Sequence, residues 1–329
     1  MSRRWRRAFG NLGLFLGSVA FFLGVVEVGL RLVGFSYVLY PEEIEFGKPE
    51  PELLKEAFRE DDELFWVTRD YPQKLRRLAA ERPEIVFMGD SCTQFGSYDR
   101  ELARLVEERR GRELRYGNLG VAGWTTFQGR RQLARDVVAL TPRVVTIYYG
   151  WNDHWMGFGV DDATVARIKG VFSSRWSRLR VVQLATKAVV ALGAHRAAWP
   201  NRVSLAAFRA NLRAMVGEAR AAGVRPLLLT APTSIREGAE PEYLAARWAR
   251  DLSEVVPLHR AYAEAVREVA ASAGAALCDL ERSFAALPRV ELDAAMMADG
   301  IHLTEEGSRR LADVLFACLE REGLLAPLE

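Results

Sequence analysis

The chain has 329 residues, 50% of them apolar and 27% charged, enough to bury one large α/β core with extensions and too rich in apolar residues for a disordered chain or a fibre. The net charge is +2, and residues 1–34 alone carry +4, so the remainder is slightly acidic. That balance argues against a nucleic-acid protein with a basic body.

The chain opens SRRWRR and then runs uncharged from Ala8 to Val26, about the length a helix needs to cross a bilayer. Residues 1–7 read as a basic cytoplasmic tail and 8–33 as a transmembrane signal-anchor, with Glu27 and Arg31 at its far end placed as an i,i+4 pair. The positive-inside rule then places everything beyond residue 34 outside the cytoplasm, on the periplasmic side of a bacterial inner membrane. A cleaved signal peptide is the competing reading, but no A-x-A site follows the apolar run. Residues 34–82, dense in Pro, Glu and Arg, read as a juxtamembrane extension with a short helix.

After Pro83 a regular alternation begins, and residues 83–325 read as one catalytic domain. Strands are predicted at 84–89, 114–120, 143–150, 224–232 and 274–280. Helices are predicted at 98–110, 125–140, 203–222, 255–273 and 304–322, the last capped by Thr304. Such alternation implies an α/β fold with a parallel five-stranded sheet covered on both faces. Ligands in such sheets bind beyond the carboxyl ends of the strands.

Those strand ends carry chemistry-bearing residues. The first delivers GDSCTQFG (89–96), the second NLGVAGWTT (118–126), the third GWNDHW (150–155), and ADGIHLTEEG (298–307) precedes the last helix. Ser91 needs a base to become a nucleophile, and His302 is one. An imidazole base needs a partner on its other nitrogen, and Asp299 lies three residues away. The N–H groups of Ser91 and Gly123 and the amide of Asn152 are candidate oxyanion donors. Asp279, at the end of the fifth strand, rivals Asp299 as the acid. The set Asp90, Asp153, His154, Asp299 and His302 also has the composition of a divalent-metal site, but its spacing is poor and the serine constellation uses His302 better. No metal and no organic cofactor is therefore expected.

The four blocks GDS (89–91), GVAG (120–123), GWND (150–153) and DGIH (299–302) resemble, in kind and in order, those of the SGNH/GDSL hydrolase superfamily. The resemblance covers about 83–322 and implies a flavodoxin-like three-layer α/β/α sandwich. It also implies Ser91 as nucleophile and oxyanion donor, Gly123 and Asn152 as the other donors, and His302 as base held by Asp299. The anchor with Glu27 and Arg31, together with DDELFW (61–66), is similar to bacterial membrane-anchored members. The G-x-S-x-G elbow of α/β-hydrolases is absent.

Trp124, Trp151, His154, Trp155 and Phe158 are candidate substrate contacts; His195 and His259 receive no role. Residues 155–202 interrupt the α/β rhythm and read as a lid-like basic insertion. From Ala163 to Gly217 there are ten basic residues and no acidic one, which with Trp176 and Trp199 suits an anionic surface. Cys92, Cys278 and Cys318 form no C-x-x-C pair; a disulfide framework is disfavoured and a single bridge is left open. The expected function is a serine esterase acting on an ester of the cell envelope, an O-acetylated glycan or a lipid. The alternatives are an O-acyltransferase with the same residues and a non-catalytic binding or assembly protein on the same fold.

Overall fold

The computed structural model describes residues 3–37, 56–157, 160–172, 178–194, 199–246 and 248–325. Phe158, Arg175, Trp176, His195 and Arg196 lie outside the described residues, as does most of the stretch between the anchor and Phe58.

Helix α1 (Arg3–Leu32) includes the stretch Asn11–Leu32, long and apolar enough to cross a membrane and buried nowhere against the protein. Its far end carries the expected pair, with Arg31 Nε 2.7 Å from Glu27 Oε1. Strands β1 (Phe58–Asp61) and β2 (Phe65–Thr68) then form an antiparallel hairpin. Asp61 shapes its turn by accepting from the N–H groups of Glu63 and Leu64. Helix α2 (Tyr71–Glu81) follows. The short helix expected in this juxtamembrane extension is present as α2, and the segment also packs against the main domain. Leu64, Phe65, Trp66, Tyr71 and Leu78 are all buried in one core with Val86 and Met88 of the main sheet. The folded body therefore begins before residue 83.

The main sheet comprises β3 (Ile85–Gly89), β4 (Tyr116–Asn118), β5 (Val144–Tyr148), β6 (Arg225–Leu229) and β7 (Ala276–Cys278). All neighbours are parallel, in the order β4-β3-β5-β6-β7. This is the flavodoxin-like order, which reverses between β3 and β5. The observed strands lie within the expected runs and are shorter at one or both ends.

Side chains alternate across the sheet as strand geometry demands. Ile85 and Phe87 pack with α4 (Tyr98–Arg110) and α13 (Glu305–Arg321), whereas Val86 and Met88 pack with α9 (Leu205–Ala221) and α10 (Val255–Ala273). Between them in the chain lie α3 (Ser91–Gln94), α5 (Thr126–Gln132), α6 (Trp151–His154), α7 (Asp162–Phe172) and α8 (Arg180–Ala194). After β7 come α11 (Leu280–Ala285) and α12 (Arg289–Ala295). Thr304 caps α13 as expected, accepting from Gly307 N. The helix expected over 125–140 keeps α geometry only to Gln132, then loosens into a π turn and a 3-10 turn that end at Thr141. Cys278 of β7 and Cys318 of α13 are joined as a disulfide, and Cys92 is free and buried.

Candidate active site

Ser91 is the first residue of α3, directly after β3. Its N–H is one of the helix-start donors that have no acceptor within the helix. Asp90 caps this turn, accepting from Cys92 N at 2.9 Å. The other Asp90 oxygen accepts from Asn152 Nδ2 at 3.0 Å, which bridges the ends of β3 and β5. Asp90 is buried, and burial pushes its carboxyl pKa up despite those two hydrogen bonds.

His302 comes from the loop before α13. Its Nε2 lies 2.8 Å from Ser91 Oγ and its Nδ1 2.6 Å from Asp299 Oδ2. The second Asp299 oxygen accepts from the N–H groups of Ile301 and His302, so the loop folds around its own acid. Burial alone would lower the imidazole pKa. The hydrogen bond and charge of Asp299 outweigh it, and the His302 pKa is raised. Burial would raise the Asp299 pKa; the bonds from His302 and the two backbone groups outweigh that, and it is lowered.

The glycine block sits against α3. A side chain at Gly120 would meet Gln94 N at 2.7 Å, so only glycine lets the two loops approach. Gly123 has φ +76°, a conformation that suits glycine, and its carbonyl accepts from Arg202 Nη1 at 2.6 Å. Arg202 is in turn paired with Asp162 at 3.0 Å, both buried, and Asp162 accepts from Thr125 Oγ1. On the other side of this loop Trp66 Nε1 donates to Ala122 O and Trp124 Nε1 donates to Trp66 O, each at 3.0 Å. Arg202 and Trp66 thus hold the Gly123 loop from two sides. Sequence reasoning missed both: a buried ion pair spanning forty positions has no local signal, and β2 is too short for its alternation to register.

Ser91, Gly123, Asn152, Asp299 and His302 all line one cleft of about 330 Å³. Its apolar walls come from Phe95, Trp151, Trp155, Leu244, Trp248 and Ile301. Trp151 and Trp155, two of the residues expected near the substrate, line this cleft. Trp124 is not in the cleft: it is fully buried, edge-on to Tyr71. His154 is also excluded, buried among Trp155, His259 and Tyr262 with Nε2 3.4 Å from His259 Nδ1. His259 has a role after all. Its ring stacks under Trp151 with centroids 4.0 Å apart, and Nε2 lies 2.9 Å from Ala231 O. Burial drives its pKa down to about 4.

Of the described residues in 155–202 only Trp155 lines the cleft, which is also lined by Tyr243, Leu244 and Trp248, from a stretch in which the sequence showed no pattern. Within the basic run, Arg202 pairs with Asp162 and Arg209 with Glu268. Asp279 caps α11 and is held by Arg267, away from His302. The five residues weighed as a metal set do not converge, since Asp153 turns to Thr126 and His154 to His259. Cys92 packs beneath the serine, and burial raises its thiol pKa well above the usual value.

A family model for the GDSL-like lipase/acylhydrolase family matches residues 87–310. The chain belongs to this family. Among solved structures, a lipase/acylhydrolase from Enterococcus faecalis is 20% identical, covering 74% of this chain and 98% of its own, with a TM-score of 0.49. An acetylxylan esterase from Geobacillus stearothermophilus is 19% identical, covering 72% and 94%, with a TM-score of 0.46. A GDSL-like lipase from Bacteroides thetaiotaomicron is 15% identical, covering 77% and 96%, also with a TM-score of 0.46. No curated protein matches the sequence. The family assignment rests on the sequence match, and it supports a hydrolase.

Proposed function

We propose that the protein is a serine esterase that works through an acyl-enzyme and removes short acyl groups from carbohydrate in the cell envelope. The observation that carries this reading is the relay from Ser91 Oγ to His302 Nε2 and from His302 Nδ1 to Asp299, at 2.8 and 2.6 Å. Ser91 Oγ attacks the ester carbonyl while His302 takes its proton and Asp299 steadies the imidazolium. The N–H groups of Ser91 and Gly123 and the free hydrogen on Asn152 Nδ2 meet the oxyanion. His302 then gives its proton to the departing alcohol, and water releases the acyl group from Ser91 by the same route in reverse.

A cleft of about 330 Å³ sits at the small end of ligand sites and favours a short acyl group over a long chain. Trp248, partly exposed on the cleft wall, offers an indole face for a sugar ring, while Trp151 and Trp155 line the same wall at 2% and 5% exposure. Residues 1–7 stay in the cytoplasm, 8–33 anchor the chain, and the catalytic body works outside. The arginines at the start of α1 and the Cys278–Cys318 bond both favour that placement.

The test is a series of esters from acetyl to long acyl, with the full chain in detergent and Ser91→Ala as control, alongside fluorophosphonate labelling. Labelling of Ser91 with a steep preference for acetyl supports the proposal. A preference for long chains overturns the substrate. Absence of labelling, with Ser91→Ala equal to wild type on every ester, overturns the enzyme.

A further inference from the structure

Helix α8 has the wrong surface for water. Of its fifteen residues only Arg180 and Lys187 are charged and none is acidic, while valine, alanine and leucine dominate. Leu184, Val189 and Leu192 are 39%, 46% and 71% exposed. A surface helix of a soluble domain carries a polar face opposite its buried stripe, and this one does not.

Its position supplies the explanation. The start of α8 is fastened to the exit end of α1. Val181 N donates to Glu27 Oε2 at 2.9 Å, and Arg31, already paired with Glu27, donates to Arg178 O at 3.1 Å. Just past α1, Tyr37 N donates to Gln183 Oε1, and Lys187 Nζ lies 5.7 Å from the centre of the Tyr37 ring. What surrounds the end of α1 therefore surrounds α8. At about 1.5 Å per residue α8 spans roughly 22 Å, short of the roughly 30 Å hydrocarbon core, so it does not cross.

We infer that α8 is a membrane-embedded helix that lies in the outer face of the bilayer beside α1, clamped there by Glu27 and Arg31. Lipid acyl chains and the glycerol region are its partner, and the clamp makes α1 a structural part of the enzyme rather than a removable leader. The anchor then does more than tether: with a second contact beside it, the catalytic body holds one orientation to the membrane. The recognition is apolar, so anionic headgroups are not required.

This inference rests on the membrane reading of α1, and the test separates the two. Single replacements Phe21→Cys in α1, Leu184→Cys and Leu192→Cys in α8, and Asp313→Cys on α13 are spin-labelled in the full chain. The proteins are placed in vesicles of phosphatidylcholine, with and without phosphatidylglycerol. Collisions with oxygen, which concentrates in lipid, are compared with those of a water-soluble nickel chelate. The expected result is that the Leu184 and Leu192 labels behave like Phe21 and lose nickel access in both vesicle types, while Asp313 keeps it. Nickel access at α8 with Phe21 in lipid overturns this inference alone, as does protection from both probes, which means protein covers the helix. Protection that appears only with phosphatidylglycerol overturns the apolar recognition. Nickel access at Phe21 overturns the anchor itself. Glu27→Gln should raise nickel access at the Leu184 label and leave Phe21 unchanged; no change at Leu184 overturns the clamp.

Discussion

Asn152 hands one amide hydrogen to Asp90 at 3.0 Å, behind the serine that Asp90 caps. The pair fixes where the second amide hydrogen points. Losing an oxyanion donor costs about 100- to 1000-fold in rate, so Asn152→Ala should lower kcat by that much with little change in KM. Asp90→Asn turns an acceptor into a competing donor at the same contact and should lower kcat by a similar order. The double variant should be little worse than either single one, since both act through one group. Steady-state kinetics on a soluble acetyl ester measure all three.

The reaction needs His302 neutral, and Asp299 raises its pKa. Activity should therefore fall as pH drops through a midpoint raised from that of an ordinary histidine, tenfold per unit below it. Asp299→Asn removes the charge that favours the protonated ring, so the midpoint should move down. The rate plateau should fall by about 10⁴, the loss typical when this partner can no longer fix the tautomer. A pH profile of kcat/KM for both proteins reads midpoint and plateau together.

Asp153 is fully buried, with one carboxylate oxygen lacking a partner, and its pKa is pushed up to about 7. The folded state thus holds a proton that the unfolded chain releases near pH 4. Between those values stability rises as pH falls, and above pH 7 the folded protein carries the full cost of a buried charge. Asp153→Asn should raise stability at pH 8 by a few kcal/mol, from roughly three pKa units, and by much less at pH 5. Chemical denaturation of both proteins at the two pH values checks the sign.

Arg202 carries both a buried ion pair and the Gly123 carbonyl. Arg202→Met should destabilise the fold by about 3–5 kcal/mol, because Asp162 is left charged and buried. Asp162→Asn in the same chain removes that charge and should recover much of the stability. It should not recover kcat, since the Gly123 carbonyl still lacks its donor. Denaturation and kinetics on the two variants separate the effects.

The sequence was most legible where strands end. The apolar runs located all five strands of the main sheet, and two short polar blocks, one after the first of these strands and one before the last helix, supplied the Ser91–His302–Asp299 relay. What escaped was long-range. His259 was an unremarked histidine on a helix until α10 brought it beneath Trp151. Two members of the basic run, Arg202 and Arg209, find their acidic partners, Asp162 and Glu268, outside it in sequence. Trp124 looked like a cleft residue from its place after the glycine block, but a hairpin more than fifty residues upstream covers it.

That hairpin decides how the protein can be shortened. Trimming to Pro83 would keep every group named in the chemistry and discard Trp66. The Ala122 carbonyl and the Trp124 indole would lose their partner, and the neighbouring turn would be free to wander out of register with the attacking oxygen. Such a fragment would also lose Leu64, Phe65, Tyr71 and Leu78 from its core, and its poor activity would be easily mistaken for the wrong substrate.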